Sequence, residues 1–160
     1  MNFNNLSTKR KTVAIVLLIC IIATYFIIYG SSMKSPKESG DLSQSVTDAI
    51  KPILDADNSI PDDVFEFRLR KFAHFFEFMV LSVEITVLYI ILQKTPPCLT
   101  HSLIIVFLIM ASALLDETLQ IFSQRGSAVT DVWIDSSGGI TGTVLTSSLY
   151  LLKKLLTKKT

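Results

Sequence analysis

Cysteine, histidine and tryptophan are scarce in this chain, whose 160 residues include two Cys, two His and one Trp. Cys20 and Cys98 stand far apart, inside or beside apolar runs. That placement excludes a disulfide framework and a thiolate metal cluster, and leaves each as an unpaired apolar filler. An excess of one charge is missing too. A formal net charge of +1 offers no bulk attraction to a polyanion, so no nucleic-acid partner is expected. There is no Gly-rich phosphate loop, no Ser-His-Asp or Cys-His order, no internal repeat and no low-complexity tract. No cofactor is expected.

Apolar sequence is plentiful. Apolar residues make up 49% of the chain and mean hydropathy is +0.49, with the apolar residues gathered into runs. Residues 12–29 carry no charge and are long enough to cross a hydrocarbon core of about 30 Å. Lys9, Arg10 and Lys11 precede this run, as in a signal peptide. Its apolar core is long for that role and no small-x-small site follows, so an uncleaved signal-anchor is expected. Three further runs, 72–92, 101–122 and 131–152, reach spanning length once their ionisable residues are accepted inside the membrane. Dense basic flanks at Lys9 to Lys11 and at Lys153, Lys154, Lys158 and Lys159 put both termini in the cytoplasm.

The fold expected is therefore all-α, a polytopic membrane protein with a four-helix transmembrane bundle, N-in and C-in, forming one domain over 1–160. An extracytoplasmic segment, 31–71, joins the first two spans. Its Ser/Lys/Gly/Pro-rich start reads as loop. From Asp41 to Leu54 the apolar residues follow helical spacing, as in an amphipathic helix on the outer membrane surface or one packed on the bundle. Asp62 to Arg68 is charged and caps the second span, and Pro96-Pro97 marks the turn before the third.

The ionisable residues within the runs are not scattered. Arg70, His74, Glu77, Leu81 and Glu84 follow spacings of four, three, four and three, which align them in one stripe at 100° per residue. In the third run Asp116, Glu117 and Gln120 fall within one turn, with Gln120 between the other two. In the fourth, Asp131, Asp135, Gly138 and Gly142 share a face. Depth coincides as well. Glu77 lies about 9 Å below Lys71 at 1.5 Å per residue, Asp116 and Glu117 end the third run, and Asp131 and Asp135 begin the fourth. With the expected topology all reach the outer third of the bilayer.

An Asp or Lys at mid-helix costs about 3 kcal/mol on insertion, so these carboxylates are expected to face each other, water, or cations such as Arg70, Lys71 and Arg125. The candidate proton-exchanging or catalytic residues are His74, Glu77, Glu117 and Asp131. The candidate ligand-binding residues are Arg70, Lys71, Asp116, Gln120, Arg125 and Asp135. An interhelical polar clamp would use the same residue types, but three helices meeting at one depth point to a cavity. Gly138 and Gly142 form a G-x-x-x-G pair suited to close helix packing. His74 and Glu77 stand at i and i+3 as in bundle metal sites. That pair is single and His101 lies at the opposite end, so no metal is expected.

Four linked motifs carry a resemblance. Arg70 to Phe78, Leu115 to Gln120, Arg125 to Asp131 and Asp135 to Gly142 are similar to the VanZ-like family. Its pattern runs R-K-x-x-H-x-x-E-Y, then [D/E]-E-x-x-Q, then R-x-x-x-x-x-D, then N-x-x-G-x-x-x-G. Serines after the first span (Ser31, Ser32, Ser43 and Ser45) resemble it too. This chain has Phe78 where the family has Tyr, which removes a hydroxyl from the site edge. Asp135 replaces Asn and adds a carboxylate that needs compensation. The resemblance implies a multi-pass protein of the bacterial cytoplasmic membrane, Gram-positive, with a role in resistance to the glycopeptide teicoplanin. Its partners would be the lipid bilayer and a lipid-linked or glycopeptide ligand at the outer face. The same residues would also suit a non-catalytic module binding a partner protein, or a proton- or ion-coupled transporter using the deep Glu84. The pattern does not separate catalysis from binding, and it is silent on oligomeric state.

Overall fold

A computed structural model describes residues 6–157. Lys158 and Lys159, part of the expected basic C-terminal flank, lie outside the described residues. Five α-helices account for nearly all of it: α1 Thr8–Ser32, α2 Pro36–Leu54, α3 Asp62–Gln93, α4 Leu99–Phe122 and α5 Val129–Thr157. No strand occurs among the described residues.

Three helices are long and apolar enough to cross a membrane: α1 with mean hydropathy 2.7, α3 with 2.1 and α4 with 2.0 over their most apolar stretches. The fourth expected run, 131–152, lies within α5, which is as long but does not reach this apolar level. The reason is its inner face. Asp131, Asp135, Ser136, Gly138, Gly139, Gly142 and Thr143 are buried against neighbouring helices, so the face that contacts protein is polar and small while Trp133, Ile140, Val144 and Leu145 are exposed.

α3 is the hub, touching all four other helices, and its most extensive contact is with α5. α5 also packs on α4, and α4 on α1. Glycines set the α3–α5 approach. A Cβ at Gly138 would overlap the Phe75 carbonyl oxygen, and one at Gly142 would meet the Met79 carbonyl and Ser82. Only glycine leaves two backbones room to lie so close. Ser82 Oγ then donates to the Gly139 carbonyl at 2.6 Å and lies 2.7 Å from Thr143 Oγ1. The apolar core fills in beside this seam, with Ile28, Phe78, Leu81, Ile109, Ala113 and Val132.

The connections are short and specific. α3 stops at Lys94, which takes a left-handed φ of 62°; Pro96 and Pro97 follow and prevent the helix from resuming. α2 begins earlier than the expected Asp41. Ser35 accepts from the Glu38 N–H while the Glu38 carboxylate accepts from the Ser35 N–H, and Pro36 occupies the first helical turn. This capping box carries the helix through residues 36–40, read above as loop. Asp62 and Asp63 do not cap α3 from outside; they form its first turn, where carboxylates oppose the helix dipole.

Candidate functional site

The sequence stripe on α3, the last turns of α4 and the first turns of α5 meet at one end of the molecule, together with the C-terminal end of α1. Gln120 lies between Asp116 and Glu117, its Nε2 donating to Asp116 Oδ2 at 2.9 Å and to Glu117 Oε1 at 3.1 Å. Ser32 at the end of α1 donates its hydroxyl to Asp116 Oδ1. The Ala128 N–H, just before α5, donates to Glu117 Oε2 at 2.9 Å. Ser123 Oγ donates to the Ser32 carbonyl at 2.7 Å. The α4–α5 turn is thus tied to both α1 and α4, and Asp116, Glu117 and Gln120 are all buried.

The basic residues divide. Lys71 forms an ion pair with Asp131 and lies 5.0 Å over the Phe67 ring, so its charge is already used. Arg125 donates Nη1 to the Ser31 carbonyl at 2.8 Å. Burial, reinforced by the nearby Arg70 guanidinium, pushes Arg125 below the usual arginine pKa, and Asp116 and Glu117 oppose this shift. Arg70 is exposed and makes no hydrogen bond or ion pair among the described residues.

His74 projects between two acids from different helices. Its Nδ1 is 3.7 Å from Asp135 Oδ1 and 3.9 Å from Asp116 Oδ2, both beyond hydrogen-bond length. Asp135 is completely buried, and neither of its carboxylate oxygens has a hydrogen-bond partner. Most buried polar atoms in folded proteins are paired, so this orphan marks a place where the interior is not built for stability alone.

Beside His74 a cavity of about 160 Å³ opens between α2 and the α1–α3 pair. Lys34, Arg70 and Arg125 provide positive charge, Ser31, Ser39 and Ser43 provide hydroxyls, and Leu42, Val46, Leu69 and Ala73 an apolar side. His74 and Glu77 line it too. A cavity with three cations, few countercharges and an apolar flank is suited to an anion attached to a hydrocarbon.

A family model described as VanZ/LLP1 matches residues 14–152. The chain belongs to the VanZ/LLP1 family. No curated protein and no solved structure matches it significantly.

Several motif residues of this VanZ/LLP1 chain stand differently from their sequence reading. Phe78 is fully buried in the apolar core, one helical turn beyond His74 on α3. Glu77 lines the cavity and is near enough to Asp116 and Asp135 to interact with both electrostatically. Glu84, further along α3, accepts from Thr24 Oγ1 at 3.2 Å. Lys34 and Ser39 were not singled out, because periodicity within one helix does not report where α2 docks. Ser45, grouped with the resembling serines, is exposed and donates within its own helix to the Asp41 carbonyl four residues back.

Proposed function

We propose that this VanZ/LLP1 protein spans the bacterial cytoplasmic membrane four times as a single domain, with α1, α3, α4 and α5 as the spans and both termini inside. Its cavity faces outward and binds the phosphate or carboxylate of a lipid-linked envelope component. Through that binding it limits the action of teicoplanin at the cell surface.

The observation that carries this reading is the cavity lined by Lys34, Arg70 and Arg125 with three serines on one side and apolar residues on the other. Burial first, and the neighbouring Arg70 guanidinium second, disfavour the charge on Arg125, and an anion held between the two guanidiniums would offset both. α5 qualifies as a span under this reading because its polar face is turned to protein and its exposed face carries Trp133, Ile140, Val144 and Leu149; intramembrane polar residues face the bundle interior. The basic residues Arg10, Lys94, Lys153 and Lys154 gather at the end opposite the cavity, where Arg10 reaches the Ile91 carbonyl and Tyr150 the Lys94 carbonyl. The dense basic flanks near both termini, with no Asp or Glu among the described residues of that end's segments, support a cytoplasmic assignment for it.

The test is susceptibility in a teicoplanin-sensitive Gram-positive host expressing the wild type or Arg70→Gln at equal abundance. Protection against teicoplanin but not vancomycin, lost in the variant, is expected. No protection by abundant wild-type protein, or full protection by Arg70→Gln combined with Lys34→Gln, sinks the reading.

A further inference from the structure

Asp135 presents the strongest unexplained feature of the interior. Its carboxylate is 0% exposed and both oxygens lack a hydrogen-bond partner. His74 Nδ1 faces it, and this atom too is buried without a partner. One donor atom from each of His74, Asp116 and Asp135 lies within 4.8 Å of the other two.

Direct hydrogen bonding does not account for the arrangement. The separations of 3.7 and 3.9 Å from Nδ1 to the two acids are too long, and one Nδ1–H could serve only one acceptor. A buried carboxylate with no donor is costly, so positive charge belongs in the gap. The neighbouring side-chain cations do not fill it: Lys71 pairs with Asp131 and Arg125 with the Ser31 carbonyl.

We propose that His74, Asp116 and Asp135 bind a divalent metal ion of the borderline class, Mn²⁺ or Zn²⁺. One imidazole nitrogen with two carboxylate oxygens suits such ions better than Ca²⁺, which takes oxygen ligands alone, or Cu⁺, which prefers sulfur. Two carboxylate charges balance the dication. Around an ion at about 2.1 Å from each ligand, the ligand atoms sit about 3 to 3.5 Å apart, so ligation asks for side-chain shifts of roughly 1 Å or less. Asp116 is already oriented, with Ser32 donating to Oδ1 and Gln120 Nε2 to Oδ2 at 2.9 Å. Such outer contacts are how proteins aim metal ligands. The site differs from the His74–Glu77 pairing that the sequence spacing offered and from the absence of metal expected there.

His74 also lines the cavity, so an anion held by Arg70 and Lys34 lies within reach of a coordination position on the ion. This last step rests on the anion-binding reading; the ion site itself does not.

The experiment uses the full chain in lipid nanodiscs, stripped with a chelator and titrated with Mn²⁺, read by electron paramagnetic resonance, and with Zn²⁺, read by competition with a chromophoric chelator. One ion per chain is expected, with imidazole nitrogen coupling in the pulsed Mn²⁺ spectrum and affinity at least about 10-fold lower in Asp135→Asn and in His74→Gln. Asp135 makes no hydrogen bond, so its amide variant keeps the fold, which helicity and thermal unfolding check. Absence of both Mn²⁺ and Zn²⁺ binding in folded wild type overturns the proposal, and so does wild-type affinity in both variants. Binding of inorganic phosphate to the metal-free protein reports on the cavity alone, so the two readings can fail separately.

Discussion

One face of α5 buries polar atoms in two contrasting ways. Around Gly138 to Thr143 the hydroxyls of Ser82 and Thr143 and the Gly139 carbonyl satisfy one another between α3 and α5. One turn toward the other end of the same helix, Asp135 is equally buried and its carboxylate has no partner. Both stretches replace apolar contact with polar groups, yet the first is complete in itself and the second waits for something outside the chain. Interhelical hydrogen bonds that close on themselves hold helices together. A buried polar group that does not close marks a place where stability has been given up locally, the usual signature of a site.

The largest expected effect lies in the closed stretch. Gly138→Ala places a Cβ against the Phe75 carbonyl, a backbone atom that cannot swing aside. The helices must part, at a cost of about 3 kcal/mol. Unfolding in detergent should show that loss, with reduced membrane abundance. Gly139→Ala presses instead on the buried Ile109 side chain, which must shift but is not backbone, so its loss should be smaller. Equal losses for the two would break the account of α5 as a backbone-to-backbone seam.

Why some of this was legible and some was not follows from what a helix encodes locally. Run length and hydropathy mark α1, α3 and α4 because crossing a membrane requires a property summed along one helix. α5 falls short on that sum because the face it buries against its neighbours is polar and small, and which face is buried is not a property summed along one helix. The stripe Arg70, His74, Glu77 and the turn Asp116 to Gln120 could be read from 3.6-residue periodicity. Helix rotation and rotamers could not. Lys71 pairs with Asp131, and Glu77 turns toward the cavity while His74 turns between two acids. Phe78, one turn beyond His74, is fully buried, which a motif reading of consecutive letters does not report. The start of α2 was written in Ser35-Pro36-Lys37-Glu38, a capping signature obscured by the surrounding Ser, Lys and Gly.

A smaller effect sharpens the contrast along α5. Ser82→Ala removes the donor to Gly139 and should cost about 1 kcal/mol. Asp135→Asn in metal-free protein removes an unpaired buried carboxylate and should leave stability unchanged or raise it by about 1 kcal/mol. Chemical unfolding of the two variants in chelator is the check. If Asp135→Asn is the more damaging of the pair, Asp135 belongs to a clamp and the distinction between the two stretches collapses.

The least effect, and the most local, concerns a carboxylate outside the spans that is buried like Asp135 but fully partnered. Asp55, in the α2–α3 connection, accepts from the Ser59 N–H at 3.1 Å and hydroxyl at 2.8 Å, and from the Ile60 N–H at 3.0 Å, with Lys51 at 3.9 Å. Burial works against its ionisation, but these donors and the Lys51 ammonium outweigh it and hold the carboxyl below its ordinary value of 3.8. A depressed folded-state pKa contributes stability that is present above the unfolded value and is lost as pH falls through the folded one. The connection should therefore be unaffected by acid down to about pH 4 and loosen below it. Hydrogen-exchange protection at Ser59 and Ile60 should fall in that window in the wild type, and show no such step in Asp55→Asn. The same acid step in both proteins would mean that the turn is not held by this carboxylate, and that full pairing of a buried acid does not by itself identify a structural role.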